Sequence, residues 1–274
     1  MPRKYSIAPL PFRGSKRYYV KRFRKMLNKS HDIDTVVDLF GGSGLLSRVA
    51  KDELPACRVI YNDFDRYIDR LANIDHTNAL LRSIRSLLIN VPESKKLPAE
   101  VKKEVLTLMQ KAEQKGPVDY ITLSASLLFS GNYATSLAEM EKQTMYNRVV
   151  LTDYKATNYL DGLEVVHEDY KDVFARFKGG KKILFVIDPP YLQTEHSAYK
   201  KEVYWQLKDY LDVLTLLKGT NYVLFTSEKS QILELCEWIN ENYKADLLEA
   251  ADKWEQNSPI NGTASYKDIM IAKL

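Results

Sequence analysis

The sequence predicts an α/β protein in which a largely parallel sheet is interrupted by a helical insertion of roughly ninety residues. Three observations predict it. Residues 35–62 read as strand, glycine turn, helix and strand, and at that length the unit is a parallel βαβ crossover, not a hairpin. Apolar strand runs separated by helical patterns return after residue 160. Between the two regions, residues 66–160 carry helical periodicity and no convincing parallel strand.

Each element follows from its pattern. Over residues 15–29, Tyr19, Phe23, Met26 and Leu27 recur at helical spacing with basic residues between them, which predicts an amphipathic helix with a cationic face. Residues 35–40 form a short apolar run ending in Asp38-Leu39-Phe40, a buried strand that leads into glycines. Leu45, Leu46, Val49 and Ala50 then mark a helix, and residues 58–62 the second strand. In the insertion, Ile84, Leu87 and Leu88, then Val101, Val105, Leu106 and Met109, mark long helices. Strands resume at 164–166, 183–187, 222–225 and 268–271, with helices over 202–217 and 231–243.

Composition narrows the class. Of 274 residues, 45% are hydrophobic and 28% charged, which is ordinary for a folded globular chain and excludes a disordered one. No apolar run approaches bilayer length, so no membrane partner is expected. Cys57 and Cys236 are too few and too far apart for a disulfide framework or a cysteine-rich zinc site, which favours a reducing, cytoplasmic setting. His31, His76, His167 and His196 are scattered without ligand spacing, and no metal is expected. The net charge is only +4, yet the first thirty residues hold ten Lys or Arg and no acid. Such an arm suits phosphate contact through Lys21, Arg22, Arg24 and Lys25, and equally a solvated cationic face.

Two motifs carry chemistry. Phe40-Gly41-Gly42-Ser43-Gly44 lies between the first strand and its helix, where glycines admit a ligand to the backbone and to helix N-terminal amides. Ser47 stands where a dinucleotide fingerprint has its last glycine, which weakens a nicotinamide or flavin reading. Asp63 ends the second strand, where a carboxylate can accept both hydroxyl hydrogens of a ribose; a tight turn followed by an exposed acid is the plainer reading. Asp188-Pro189-Pro190-Tyr191 follows the apolar run 183–187, so the strand delivers it to the carboxyl edge of the sheet. Two prolines fix φ and offer carbonyls with no competing N–H, so a carboxylate, a backbone acceptor and an aromatic face can converge on an exocyclic amine attached to a flat ring. A strand-ending turn with a surface tyrosine is the competing reading.

Taken together in this order, the motifs resemble the Dam-type (D12 class) DNA adenine-N6 methyltransferases. Pro11-Phe12-Arg13-Gly14-Ser15-Lys16 is similar to that family's amino-terminal motif, Phe40 to Gly44 to its Phe-x-Gly-x-Gly, Asn62-Asp63 to its ribose-binding acid, and Asp188 to Tyr191 to its catalytic tetrapeptide. Asn261-Gly262-Thr263 and the terminal strand look similar to phage members. The resemblance implies a Rossmann-like methyltransferase sheet with an inserted helical target-recognition subdomain, the catalytic domain being residues 1–65 and 161–274 and the insertion 66–160. It implies S-adenosylmethionine as cofactor, held by Phe12, Lys16, Asp38, Phe40, Gly41, Gly42, Gly44, Asp63 and Asp188, with Asp169 beside the adenine as part of an Asp169-Tyr170 pair. A solvated acid and a core tyrosine fit that last pair equally well.

Asp188, Pro189, Pro190 and Tyr191 would be catalytic, acting on adenine N6 of double-stranded DNA after the base is flipped out. Polar groups at 130–133 and at Asn147-Arg148 are candidates to read bases or fill the gap. The Pro-Phe-Gly segment of members that read GATC is absent, so that target is not implied. The resemblance further implies a monomer in the cytoplasm of a bacterial or phage-infected cell, with a cognate restriction endonuclease as a candidate partner. An RNA or protein-amide acceptor, or a DNA-binding module that has lost catalysis, are the alternatives. Intact Asp63 and Asp188 argue against the last, because binding alone requires neither.

Overall fold

A computed structural model describes residues 4–30, 32–129, 131–190, 205–228, 230–259 and 265–274. Its contacts divide the chain into two compact units, one of Met1–Ile7, Ser15–Asp65 and Leu160–Leu274, the other of Ala8–Gly14 and Arg66–Tyr159. Residues 8–14, read from sequence with the catalytic domain, thus count with the helical unit.

The first unit is built on a seven-stranded sheet of β1 (Thr35–Asp38), β2 (Arg58–Asn62), β3 (Glu164–Val166), β4 (Ile183–Ile187), β5 (Asn221–Ser227), β6 (Asp252–Pro259) and β7 (Ser265–Lys273). Their order is β3-β2-β1-β4-β5-β7-β6. The first five run parallel, and β7 pairs antiparallel with both β5 and β6. This is the Rossmann-like α/β class expected.

Side chains alternate across the strands and feed two cores. On one face Val36, Val59, Leu184, Val186 and Val223 pack with α1 (Val20–Leu27) and α2 (Leu45–Glu53). On the other, Val37, Ile60, Phe185, Ile187 and Leu224 pack with helices further along the chain. The central strand β4 is therefore buried at all five positions, and it reads as a continuous apolar run for that reason.

The helical unit comprises α3 (Tyr67–Ala72), α4 (Ile74–Leu87), α5 (Ala99–Glu113), α6 (Tyr120–Leu127) and α7 (Leu137–Lys142) around a core of Leu81, Ile84, Val105, Met109, Leu123 and Met145. In the first unit, α8 (Tyr170–Phe177), α9 (Leu207–Leu217) and α10 (Ile232–Tyr243) cover the second sheet face.

Several details differ from the sequence reading: α9 begins at Leu207 where a helix from 202 was expected, 202–204 lying outside the described residues, and β7 spans Ser265–Lys273 where 268–271 was expected. The first strand ends at Asp38, and the amino-terminal helix opens with a 3-10 turn, Arg17–Tyr19, before α1. The strand β6 has no apolar run to reveal it, because it is an edge strand carrying Lys253 and Glu255, and such charges keep an edge from pairing with other chains.

Candidate active site

In an open α/β sheet, ligands bind beyond the carboxyl ends of the strands where the order reverses, here between β1 and β4. Four acids meet that edge. Asp38 closes β1, Asp63 follows β2, Asp188 follows β4, and Asp268 stands opposite Ser227 at the end of β5 because β7 runs antiparallel to it.

The glycine turn is set by its neighbour Tyr61. A Cβ on Gly41 would stand 2.3 Å from Tyr61 Cδ2, and the Tyr61 hydroxyl donates to the Gly42 carbonyl at 2.7 Å. Gly44 adopts φ +70°, a left-handed conformation that favours glycine, and it caps α2. Phe40 turns toward the second core, 4.9 Å from Tyr170 and 5.4 Å from Trp205 between ring centres.

Asp38 is 1% exposed. One carboxylate oxygen, Oδ2, accepts the Ser47 hydroxyl at 2.6 Å, while Oδ1 has no hydrogen-bond partner among the described residues. Burial pushes its pKa up to about 7; the Ser47 bond pulls it back and the nearby Asp188 charge adds to the rise. A buried acid with an open oxygen beside a second acid is a place for a cation.

Asp63 is fully buried; its N–H donates to Val166 O at 2.8 Å, and its carbonyl pairs with His167 Nδ1 at 2.8 Å. Next to it, Asn62 Nδ2 donates to Leu39 O at 3.1 Å and Glu168 O at 2.9 Å, while Asn62 Oδ1 accepts from Glu168 N–H at 3.0 Å. One amide thus fastens the ends of β1, β2 and β3 together, a role that a motif match to the acid alone does not reveal.

Asp188 pairs with Lys16, Nζ to Oδ2 being 2.7 Å. Burial raises the Asp188 pKa, Lys16 opposes that rise by charge and by hydrogen bond, and Asp268 adds to it. Lys16 also lies 5.8 Å over the Phe225 ring, a cation–π contact. Behind the corner, the Tyr210 hydroxyl donates to Pro190 O at 2.6 Å, which holds the Pro-Pro turn against α9. Pro189 is buried and Pro190 half-buried. Tyr191, His196, Ser130 and residues 261–263 lie outside the described residues.

Phe12 belongs to the helical unit, its ring edge-on to Tyr67 at 5.8 Å. Asp169 is exposed and caps α8, accepting from Lys171 N–H at 2.8 Å. Its neighbour Tyr170 is buried with a hydroxyl that has no partner among the described residues, and burial pushes that hydroxyl up to about 12. Asn147 donates to Val91 O at 2.6 Å and Arg148 to Leu128 O at 3.0 Å, so both brace the helical unit. Asp268 and Ser227 were missed by sequence reasoning. Ser227 is 1% exposed and its hydroxyl has no partner among the described residues, and the Tyr19 hydroxyl donates to the Asp268 carbonyl. An acid directly before the apolar run 269–272 was the available signal. Among the described residues no group of three or more His, Cys, Asp or Glu is placed to share a metal, and no helix is long and apolar enough to cross a membrane.

A protein of Haemophilus influenzae named "Putative methyltransferase" is 37% identical over 276 residues, covering 97% of this chain and 92% of its own. Among solved structures, a SAM-dependent methyltransferase from Agrobacterium tumefaciens aligns with 93% of this chain and 61% of its own at 12% identity and a TM-score of 0.41. An rRNA methylase from Streptococcus thermophilus aligns with 93% and 95% at 10% identity and a TM-score of 0.31. Neither superposition is close enough to assign a residue. The model of the D12 class N6 adenine-specific DNA methyltransferase family matches residues 12–245, and the chain belongs to that family.

Proposed function

We propose that the protein methylates the N6 amino group of adenine in double-stranded DNA, using S-adenosylmethionine as donor, and that Asp188 is the residue that receives the amine. The observation that carries the reading is the shielded Lys16–Asp188 pair at the carboxyl end of β4, facing a buried Asp38 with an open oxygen.

The acids fit the cofactor. Asp38 offers its free oxygen to a cationic group, Asp63 offers a carboxylate to the ribose hydroxyls, and Gly41, Gly42 and Gly44 shape the intervening wall. Bound there, S-adenosylmethionine supplies a methyl group already activated on a positively charged sulfur. The chain's own work is at the acceptor. An ionised Asp188 accepts a hydrogen bond from N6–H, and the Pro189 carbonyl is available for the second. Both draw the N6 lone pair out of conjugation with the ring and stabilise the positive charge that builds on nitrogen. Asp188, or water beside it, then takes the proton that N6 sheds. Lys16 keeps Asp188 ionised where burial alone favours its neutral form.

A base within a duplex cannot reach such a corner unless it is turned out. The helical unit, Ala8–Gly14 and Arg66–Tyr159, is read as the target-recognition part, supported by Phe129, exposed at its surface, and by Arg13 stacked 5.8 Å over Tyr133. Both cysteines are free thiols, which supports a reducing compartment such as the cytoplasm of a bacterial or phage-infected cell. The reading includes a monomer, acting alone or beside a cognate endonuclease.

The test is to incubate the protein with S-adenosylmethionine and mixed-sequence duplex DNA, digest to nucleosides and identify methylated bases by mass spectrometry. N6-methyladenine is expected, and Asp188→Ala should abolish it while leaving the fold intact. Methylated RNA or glutamine in place of adenine would move the acceptor. Near-normal methylation by folded Asp188→Ala would sink the mechanism.

A further inference from the structure

The Lys16–Asp188 pair has a second acid beside it, and the sheet puts it there. Leu184 and Val186 of β4, Val223 and Phe225 of β5, and Met270 and Ala272 of β7 all face the core that α1 covers. Alternation along the same strands brings Asp188, Ser227 and Asp268 to that face as well. The register sets Asp268 directly opposite Ser227, and both are buried. β5 is the one strand between β4 and β7, so two strand spacings, roughly 10 Å, separate the backbones of the two acids. The Lys16 ammonium, 2.7 Å from Asp188, lies 5.8 Å over the ring of Phe225, on the strand that divides them.

The backbone is fastened at the same place. The Tyr19 N–H donates to Lys16 O at 2.9 Å, and the Tyr19 hydroxyl donates to the Asp268 carbonyl. The turn that carries Lys16 is thus pinned to the residue that carries the second carboxylate. The other groups on this face are Tyr19 and Arg22 from the amino-terminal helix, Asp38 from β1 and Gln256 opposite Asp268 on β6. Arg22 is exposed and stacked 5.6 Å over Trp254, and Glu255 is paired with Lys267 at 2.9 Å. Lys16 is therefore the buried cation that the two acids have in common. Burial raises the Asp188 pKa most, Lys16 opposes the rise and Asp268 adds to it, so the charge of the second acid reaches the first.

We propose that Asp268 is a positioning residue for the reaction: it competes with Asp188 for the Lys16 ammonium, and so sets how strongly Asp188 accepts the hydrogen bond from N6–H. This rests on the functional reading above. A carboxylate whose charge is spent on one lysine is a poorer acceptor for a further donor, and an ammonium shared with Asp268 leaves Asp188 ionised with acceptor strength to spare.

The experiment titrates the whole protein, isotopically labelled at the aspartate Cγ, by NMR, and assigns the Asp188 and Asp268 signals by their absence in Asp188→Asn and Asp268→Asn. In the wild type each curve should bend at the other's midpoint, as acids that share one cation do. Asp268→Asn removes the charge and keeps the carbonyl that Tyr19 holds. Its Asp188 midpoint should fall by about half a pH unit or more, the strength with which charges roughly 10 Å apart interact in a shielded site. Asp268→Glu keeps the charge and should return the midpoint toward the wild-type value. The acid limb of single-turnover duplex methylation should move down with the midpoint in Asp268→Asn. Independent curves in the wild type, or an unmoved Asp188 midpoint in folded Asp268→Asn, overturn the sharing of Lys16. A limb that stays in place while the midpoint moves removes Asp268 from the reaction. A wild type that methylates no duplex, while its two acids still titrate together, fails the functional reading and leaves the shared charge standing.

Discussion

Lys16 Nζ lies 2.7 Å from Asp188 Oδ2, with the lysine side chain 7% exposed and the aspartate 18%. Charges this sheltered are screened little by water or salt, and removal of one leaves the other uncompensated. Lys16→Met is therefore expected to destabilise the fold by roughly 2–4 kcal/mol, readable in urea denaturation. It should also change the pH profile. Burial already raises the Asp188 pKa and Lys16 opposes the rise, so without Lys16 the carboxyl protonates at higher pH. The neutral acid is the weaker acceptor. The acid limb of kcat/KM should move upward in pH, and an unmoved limb would separate Lys16 from the ionisation of Asp188.

Asp38 makes the ligand-free protein sensitive to pH in a defined direction. Its folded pKa of about 7 lies above the unfolded value near 4, so between these limits the folded state binds more protons than the unfolded. Stability from this group is full below about pH 4 and declines as pH rises to about 7. Asp38→Asn should flatten that decline. A cation docked on the open oxygen favours the ionised form, so cofactor binding at pH 7 should release up to about half a proton. Calorimetry in buffers of different ionisation enthalpy reads this directly, and the release should vanish in Asp38→Asn.

Gly41 is fixed by space. The nearest atoms to an added Cβ are ring carbons of Tyr61, and Asn62 O stands at 3.0 Å. Backbone on one side and a buried ring on the other leave little room to yield. Gly41→Ala should cost about 1–3 kcal/mol by overpacking and weaken the cofactor through displacement of the turn. Urea midpoints and calorimetric affinity check the two halves separately.

How much of this was legible depended on where each residue's partner lies. Asp63 and Asp188 end apolar strands, and a strand end in an α/β sheet is a place that sequence alone can name. Lys16 could be picked out by its motif, but its contact with Asp188 comes from tertiary packing that no local pattern encodes. Asp38 was read as a ligand only through the resemblance; the open oxygen beside Ser47 is what gives it physical grounds. Asp268 and β6 escaped because the closing hairpin is marked by charge at an edge, and charge also marks loops. Phe12, four residues before Lys16, counts with the other unit, since periodicity says which face a residue shows its own element and nothing of which core receives it.

Phe129 offers a test of the helical unit that leaves stability aside. Its side chain is 59% exposed and meets Tyr146 with ring centres 6.0 Å apart, so truncation removes little buried area. Phe129→Ala should change folding stability by no more than about 0.5 kcal/mol. An exposed aromatic ring is suited to stacking on bases, worth about 1–3 kcal/mol per base where it occurs. Duplex affinity should accordingly fall by five-fold or more, as a stacking loss of about 1 kcal/mol or more requires. The rise in 2-aminopurine fluorescence that reports an extruded base should shrink with it. A variant with unchanged affinity and unchanged fluorescence would place the DNA contact elsewhere on the unit, with Arg13 and Tyr133 the next side chains to truncate.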